Sequence, residues 1–139
     1  MDLHGGCACG NITFELDWDP APLEIPARAC GCSFCVKHCG VWTSNPNGAL
    51  RVAVKAPSLV SKYAFETGTA HFLVCSRCGV VPVVVSEIDG RLYAVVNVNT
   101  FVDVDPALLR RVPASFDGET TDSRLARRQR NWIGNVTMG

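Results

Sequence analysis

The sequence predicts a mainly β protein of antiparallel strands with metal-binding turns set between them. Short runs that alternate apolar and polar residues, or that are rich in β-branched and aromatic residues, recur along the chain. Eight cysteines fall in three tight groups beside those runs, and helical signals are few. At 139 residues, with no internal repeat or linker, the chain is expected to form a single domain over residues 1–139.

The elements follow in order. "NITFEL" (Asn11–Leu16) alternates apolar Ile12, Phe14 and Leu16 with polar Thr13 and Glu15, the period of a half-buried strand. "SFCVKHC" (Ser33–Cys39) can turn helically. "ALRVAVK" (Ala49–Lys55) and "LVSKYAFE" (Leu59–Glu66), separated by "APS", read as a hairpin. "AHFLV" (Ala70–Val74) runs into "CSRCG". Two further strands, "VVPVVV" (Val80–Val85) and "RLYAVVNV" (Arg91–Val98), are joined by "EIDG", whose Asp89-Gly90 is a strong turn signal. Pro82 inside its run predicts an edge strand or a bulge. "DPALLRR" (Asp105–Arg111), with an Asp cap and proline behind it, predicts a short helix or one 3₁₀ turn.

Charge and composition narrow the function. Hydrophobic residues make up 47% and charged residues 19%, ordinary values for a soluble protein. Thirteen basic residues balance thirteen acidic ones, so no global field recruits nucleic acid or anionic lipid. The tail "SRLARRQRNW" gathers Arg124, Arg127, Arg128 and Arg130, but acidic "DGETTD" flanks it, and a solvated helix face is the expectation. The N-terminus lacks the charged and apolar regions of an export signal, and the longest apolar run is too short to cross a bilayer. A cytoplasmic protein without membrane or nucleic-acid partners is expected.

In that setting, cysteines spaced Cys-x-Cys, Cys-x-Cys-x-x-Cys and Cys-x-x-Cys favour metal over disulfides. Cysteines one residue apart bridge awkwardly but chelate a tetrahedral ion readily. Cys7 and Cys9 (before Gly10) and Cys75 and Cys78 (before Gly79) make two similar turns. Paired, they give a closed Cys₄ site of structural character. Cys30, Cys32 and Cys35 offer three thiolates from one loop, with Cys39 as a fourth ligand if a helix brings it onto the same face as Cys35. Otherwise Cys39 is expected to be a small buried hydrophobe. Spacing alone also permits Cys7 and Cys9 to pair with Cys30 and Cys32, leaving Cys75 and Cys78 to Cys35 and Cys39.

Together these motifs resemble the glutathione-dependent formaldehyde-activating family, also called the centromere-protein-V-like family. The resemblance rests on "GCACGNITFE" (Gly6–Glu15), "CGCSFCVKHCG" (Cys30–Gly40), "CSRCG", "NVNTFVDVDP" (Asn97–Pro106) and Trp132, and spans nearly the whole chain. It implies an Mss4-like fold, a structural zinc on Cys7, Cys9, Cys75 and Cys78, and a second, more labile zinc at a catalytic site of Cys30, Cys32 and Cys35. The implied activity is carbon–sulfur lyase chemistry, the reversible joining of formaldehyde and glutathione into S-hydroxymethylglutathione. A small aldehyde and a thiol are thus the expected partners. The family's histidine between the first two cysteines is here Gly31, its arginine after the third is Val36, and the residue after the Cys78-Gly79 turn is Val80. These departures bear on substrate identity more than on metal.

Around such a site Arg28 or Lys37 can offset thiolate charge and attract a carboxylate. His38 adjoins the cluster without an orienting carboxylate, His4 lies near Cys7, and His71 has no evident partner. None of the three is expected to act, the alternative being His4 as an off-pattern metal ligand near Cys7. The competing expectation is a non-enzymatic zinc module that binds a partner protein.

Overall fold

The computed structural model describes every residue except Glu66. Its elements are β1 (Asp2–Gly6), β2 (Ile12–Asp17), β3 (Ile25–Cys30), α1 (Ser33–His38), β4 (Val41–Thr43), β5 (Ala49–Val54), β6 (Val60–Tyr63), β7 (His71–Cys75), β8 (Val83–Ile88), β9 (Arg91–Asn97), β10 (Leu109–Ala114), α2 (Thr121–Asn131) and β11 (Asn135–Met138). They form a four-stranded sheet, β1-β2-β5-β11, and a seven-stranded sheet, β10-β3-β4-β9-β8-β7-β6. Pairing is antiparallel except β3 with β10 and β5 with β11. The protein is mainly β, with antiparallel-rich sheets. No helix among the described residues is long and apolar enough to cross a membrane.

Alternation sets the smaller sheet. Ile12, Phe14 and Leu16 of β2 are buried while Thr13 and Asp17 face outward. With Leu3, Leu50 and Val52 they pack against Leu73, Val83, Val85, Ala94 and Val96 of the larger sheet, so the main core lies between the two sheets. The larger sheet is covered on its other face as well. There Trp42, Phe72, Val84, Tyr93 and Val95 pack with Cys35 of α1 and with Trp132, just past α2. Strands β8 and β9 are therefore buried on both faces, which is why they read as almost unbroken apolar runs. Their hairpin closes as expected, Ile88 opposite Arg91, with Asp89 and Gly90 at φ 53° and 77°.

Two expectations are corrected and a third is refined. The segments 49–55 and 59–66 do not form a hairpin: β5 pairs with β2 and β11, whereas β6 pairs with β7 in the other sheet. A 3₁₀ turn over Pro57–Leu59 redirects the chain between them. The predicted strand's last residue, Glu66, lies outside the described residues. Pro82 marks neither an edge nor a bulge. It is fully buried immediately before β8, an interior strand, and its carbonyl accepts from the Asn97 N–H at 2.9 Å. In "DPALLRR" Asp105 caps a 3₁₀ turn over Pro106–Leu108, as expected, but Leu109 onward continues as β10.

Candidate metal centres and an adjoining cavity

The four cysteines of the two glycine-closed turns converge. Their sulfurs all lie within 4.8 Å of one another, with Cys7–Cys9 at 3.7 Å and Cys9–Cys75 at 3.5 Å. A tetrahedral zinc with Zn–S of about 2.3 Å requires sulfurs about 3.8 Å apart, so the donor set fits the ion. The two turns share one construction. Gly10 N–H returns to the Cys7 carbonyl and Gly79 N–H to that of Cys75, both glycines at φ 81°. The Ile12 N–H points at the Cys7 sulfur at 3.3 Å. The N–H groups of Cys78 and Arg77 hold the Cys75 thiol below its ordinary pKa against the effect of burial. Burial likewise raises Cys78, but the N–H groups of Val80 and Cys9 and the neighbouring sulfurs bring it down to about 6.

Cys30, Cys32 and Cys35 form the second group, again with all sulfurs within 4.8 Å. Cys30 ends β3, Cys32 caps α1, and Cys35 lies in the first turn. The loop is fixed from both sides. Gly31 N–H donates to the Ala114 carbonyl of β10 at 3.0 Å, and Cys35 N–H to the Cys32 sulfur at 3.4 Å. From β4 the Trp42 indole N–H donates to the Cys35 sulfur at 3.3 Å. Gly40 makes this placement possible, because a Cβ there would come within 2.6 Å of the indole. The neighbouring Cys30 sulfur and burial push the Cys35 thiol up. Cys39 does not join the group. The helix ends at His38, and Cys39 follows as an exposed, left-handed cap at φ 55°, its carbonyl accepting from Asn99. It is not the buried hydrophobe expected from sequence.

The second group opens on a cavity of about 120 Å³. Trp42, Phe72, Val84, Val95 and Trp132 give it apolar walls, and Arg28, Arg124, Arg127 and Arg128 also line it. Arg28 is thus at the site, whereas Lys37 does not line the cavity and is exposed. His38 is exposed and its ring packs at a tilt against Phe34. His4 bonds Asp103 through both its backbone N–H and its ring, and it belongs to neither sulfur group. His71 is exposed on β7.

The tail arginines overturn the expectation of a solvated helix face. Arg128 is only 6% exposed. Arg127 is held by Glu119 in a two-pronged pair (2.8 and 3.1 Å) and lies over Phe116, 3.8 Å from its ring centre. Thr120 caps α2 through the Ser123 N–H. Sequence reasoning missed this half of the site. Its available signal was the four-residue spacing that stacks Arg124, Arg128 and Trp132 along one helical face.

A family model described as "Glutathione-dependent formaldehyde-activating enzyme" matches residues 2–112. A crystal structure of a Rhodobacter sphaeroides protein is similar, with 28% identity and a TM-score of 0.57 over 79% of this chain and 97% of that one. No curated protein matches.

Proposed function

Because this chain belongs to the glutathione-dependent formaldehyde-activating family, we propose that it joins a small aldehyde and a thiol reversibly at the Cys30–Cys32–Cys35 group. The observation that carries the reading is three clustered sulfurs lining a cavity, in a chain whose other sulfur group has four members and needs no further ligand. Cys7, Cys9, Cys75 and Cys78 would hold a structural zinc, and Cys30, Cys32 and Cys35 a second. Bound there, zinc supplies Lewis acidity toward a carbonyl oxygen and favours the ionised form of a thiol.

The protein's own groups do the rest. The apolar walls exclude water and hold the two reactants close, which is most of what this addition requires. The indole N–H of Trp42 orients the Cys35 sulfur and disperses its charge. The Arg28 guanidinium offsets the excess negative charge of three thiolates. In the reaction the thiol sulfur bonds to the carbonyl carbon, the C=O π bond opens, and the proton lost from sulfur ends on the oxygen. The reverse cleavage retraces this path, and no further reactant enters.

Cys32→Ser tests the reading. Formaldehyde–glutathione exchange followed by NMR is expected to fall to the uncatalysed rate while the amide spectrum stays folded. An unchanged exchange rate in a folded variant refutes it.

A further inference from the structure

Two of the four cavity arginines pair with no carboxylate among the described residues. Arg28 donates to the Ser44 hydroxyl at 2.7 Å, and Ser44 donates on to the Asn131 carbonyl at the end of α2. Arg128 spends Nη1 on the hydroxyls of Thr69 (2.8 Å) and Ser86 (3.2 Å), while its buried Nε–H has no acceptor. Neither arginine pairs with a carboxylate among the described residues, although Glu119 beside them is bound to Arg127 and Arg124. Burial, then repulsion from Arg127 and Arg124, pulls Arg128 down to about 10 against the attraction of Glu119, and burial and Arg127 also lower Arg28. Both remain protonated at neutral pH.

A buried cation without a partner is costly, and folded proteins avoid one unless something else requires it. Here Arg128, buried, and Arg28, half-buried, line one cavity next to three sulfurs, and Asp117, which also lines it, bonds to neither. A guanidinium with donors to spare matches a carboxylate in shape as well as charge. The cavity, about 120 Å³, is close to the size that holds one benzene, so it encloses a small molecule or one end of a larger one. Arg128 stands on α2, beyond residues 2–112 where the family match ends.

We propose that Arg28 and Arg128 form a carboxylate-recognition site for a small acid whose reacting end, thiol or carbonyl, lies at the Cys30–Cys32–Cys35 group. The placement of the reacting end rests on the function proposed above. The carboxylate site itself does not.

The test follows the indole N–H signals by NMR in zinc-loaded protein. Trp42 and Trp132 line the cavity, and Trp18, in the core between the sheets, is an internal control. Propionate is expected to shift Trp42 and Trp132 but not Trp18, and propionamide to shift none. Arg28→Gln and Arg128→Gln should each weaken propionate about 10- to 100-fold. If Arg128→Gln does not fold, Arg128→Lys keeps the charge without the fork and should still weaken binding. Equal shifts from acid and amide overturn the proposal, as does propionate binding unaltered in folded variants of both arginines. A second arm separates the two readings. Cys32→Ser should weaken 3-mercaptopropionate if the thiol carries the acid, or glyoxylate if the carbonyl does. If it weakens neither while propionate still needs Arg128, the carboxylate site stands and the carbon–sulfur chemistry falls.

Discussion

Gly40→Ala probes how the second sulfur group is held. The new methyl would lie 2.6 Å from Trp42 Cζ2, 3.0 Å from Cε2 and 3.2 Å from Nε1. Ordinary carbon contacts are about 3.5–4.0 Å, so the ring must retreat by roughly 1 Å. It has little room to do so, being 7% exposed and set edge-on against Phe72 at 5.8 Å. Overpacking of this kind costs about 1–3 kcal/mol, which for a chain this size lowers the melting temperature by about 3–12 °C. The same shift disturbs the indole N–H bond to the Cys35 sulfur, and losing such a support weakens metal binding about 10- to 100-fold. Cobalt(II) titration reads this directly through thiolate-to-metal absorption, with the four-cysteine group as an unaffected reference. Trp42→Phe removes both the clashing Cζ2 and the N–H. Combined with Gly40→Ala it should recover melting temperature but not cobalt affinity, a non-additive result. A Gly40→Ala protein with unchanged melting and unchanged cobalt binding would refute the reasoning.

Two further outcomes follow from the geometry. Cys9→Ser should lower the melting temperature of the zinc-loaded protein far more than Cys32→Ser. The first group ties residues 7–9 to 75–78 across the main core, where structural zinc contributes on the order of 10 kcal/mol. Equal losses would contradict the assigned division between the two groups. At the surface, the bond to Asp103 raises the His4 pKa above 6.5. Partial burial works against Asp103, but the His4 N–H and ring hold it below its ordinary 3.8. His4's contribution to stability is full below 6.5 and lost as pH rises through its folded value. That of Asp103 is present above 3.8 and lost as pH falls through its folded value, so both act together between 3.8 and 6.5. In Asp103→Asn an NMR titration should find the His4 pKa lowered toward its ordinary value, with Glu15 and Asp2 still holding it up in part, and an unmoved value would refute the pairing.

Sequence disclosed what depends on neighbours along the chain. The cysteine turns were legible because chelation by Cys-x-Cys and Cys-x-x-Cys is set by local spacing, and Gly10 and Gly79 announce the backbone each turn needs. The β8–β9 hairpin was legible for the same reason at Asp89-Gly90. Partner choice between strands is not local. Strands β5 and β6 follow one another closely yet belong to different sheets, and nothing in their composition says so. Pro82 misled because its position was judged by the missing N–H alone, when ending the approach to an interior strand serves equally well. Short strands such as β4, three residues long, carry too little pattern to be seen. The arginines of α2 were misread because a row of charges looks the same whether it faces water or a cavity.

That last ambiguity has a physical resolution in the larger sheet. Strands β4, β7, β8 and β9 present Trp42, Phe72, Val84 and Val95 on the face away from the main core. Such a surface must be covered, and Leu125 and Trp132 of the α2 segment help to cover it. A helix recruited for apolar cover need not carry a buried arginine, because a methionine or leucine at 128 would serve the packing at lower cost. Arg128 therefore answers to something other than packing. Hydroxyls of Thr69 and Ser86 hold its guanidinium, and it lines the same cavity as the cysteine group. Among apolar walls a charged contact is stronger than it would be in water. A ligand with one anionic end is then oriented by that end alone, with its other end left to meet the sulfurs.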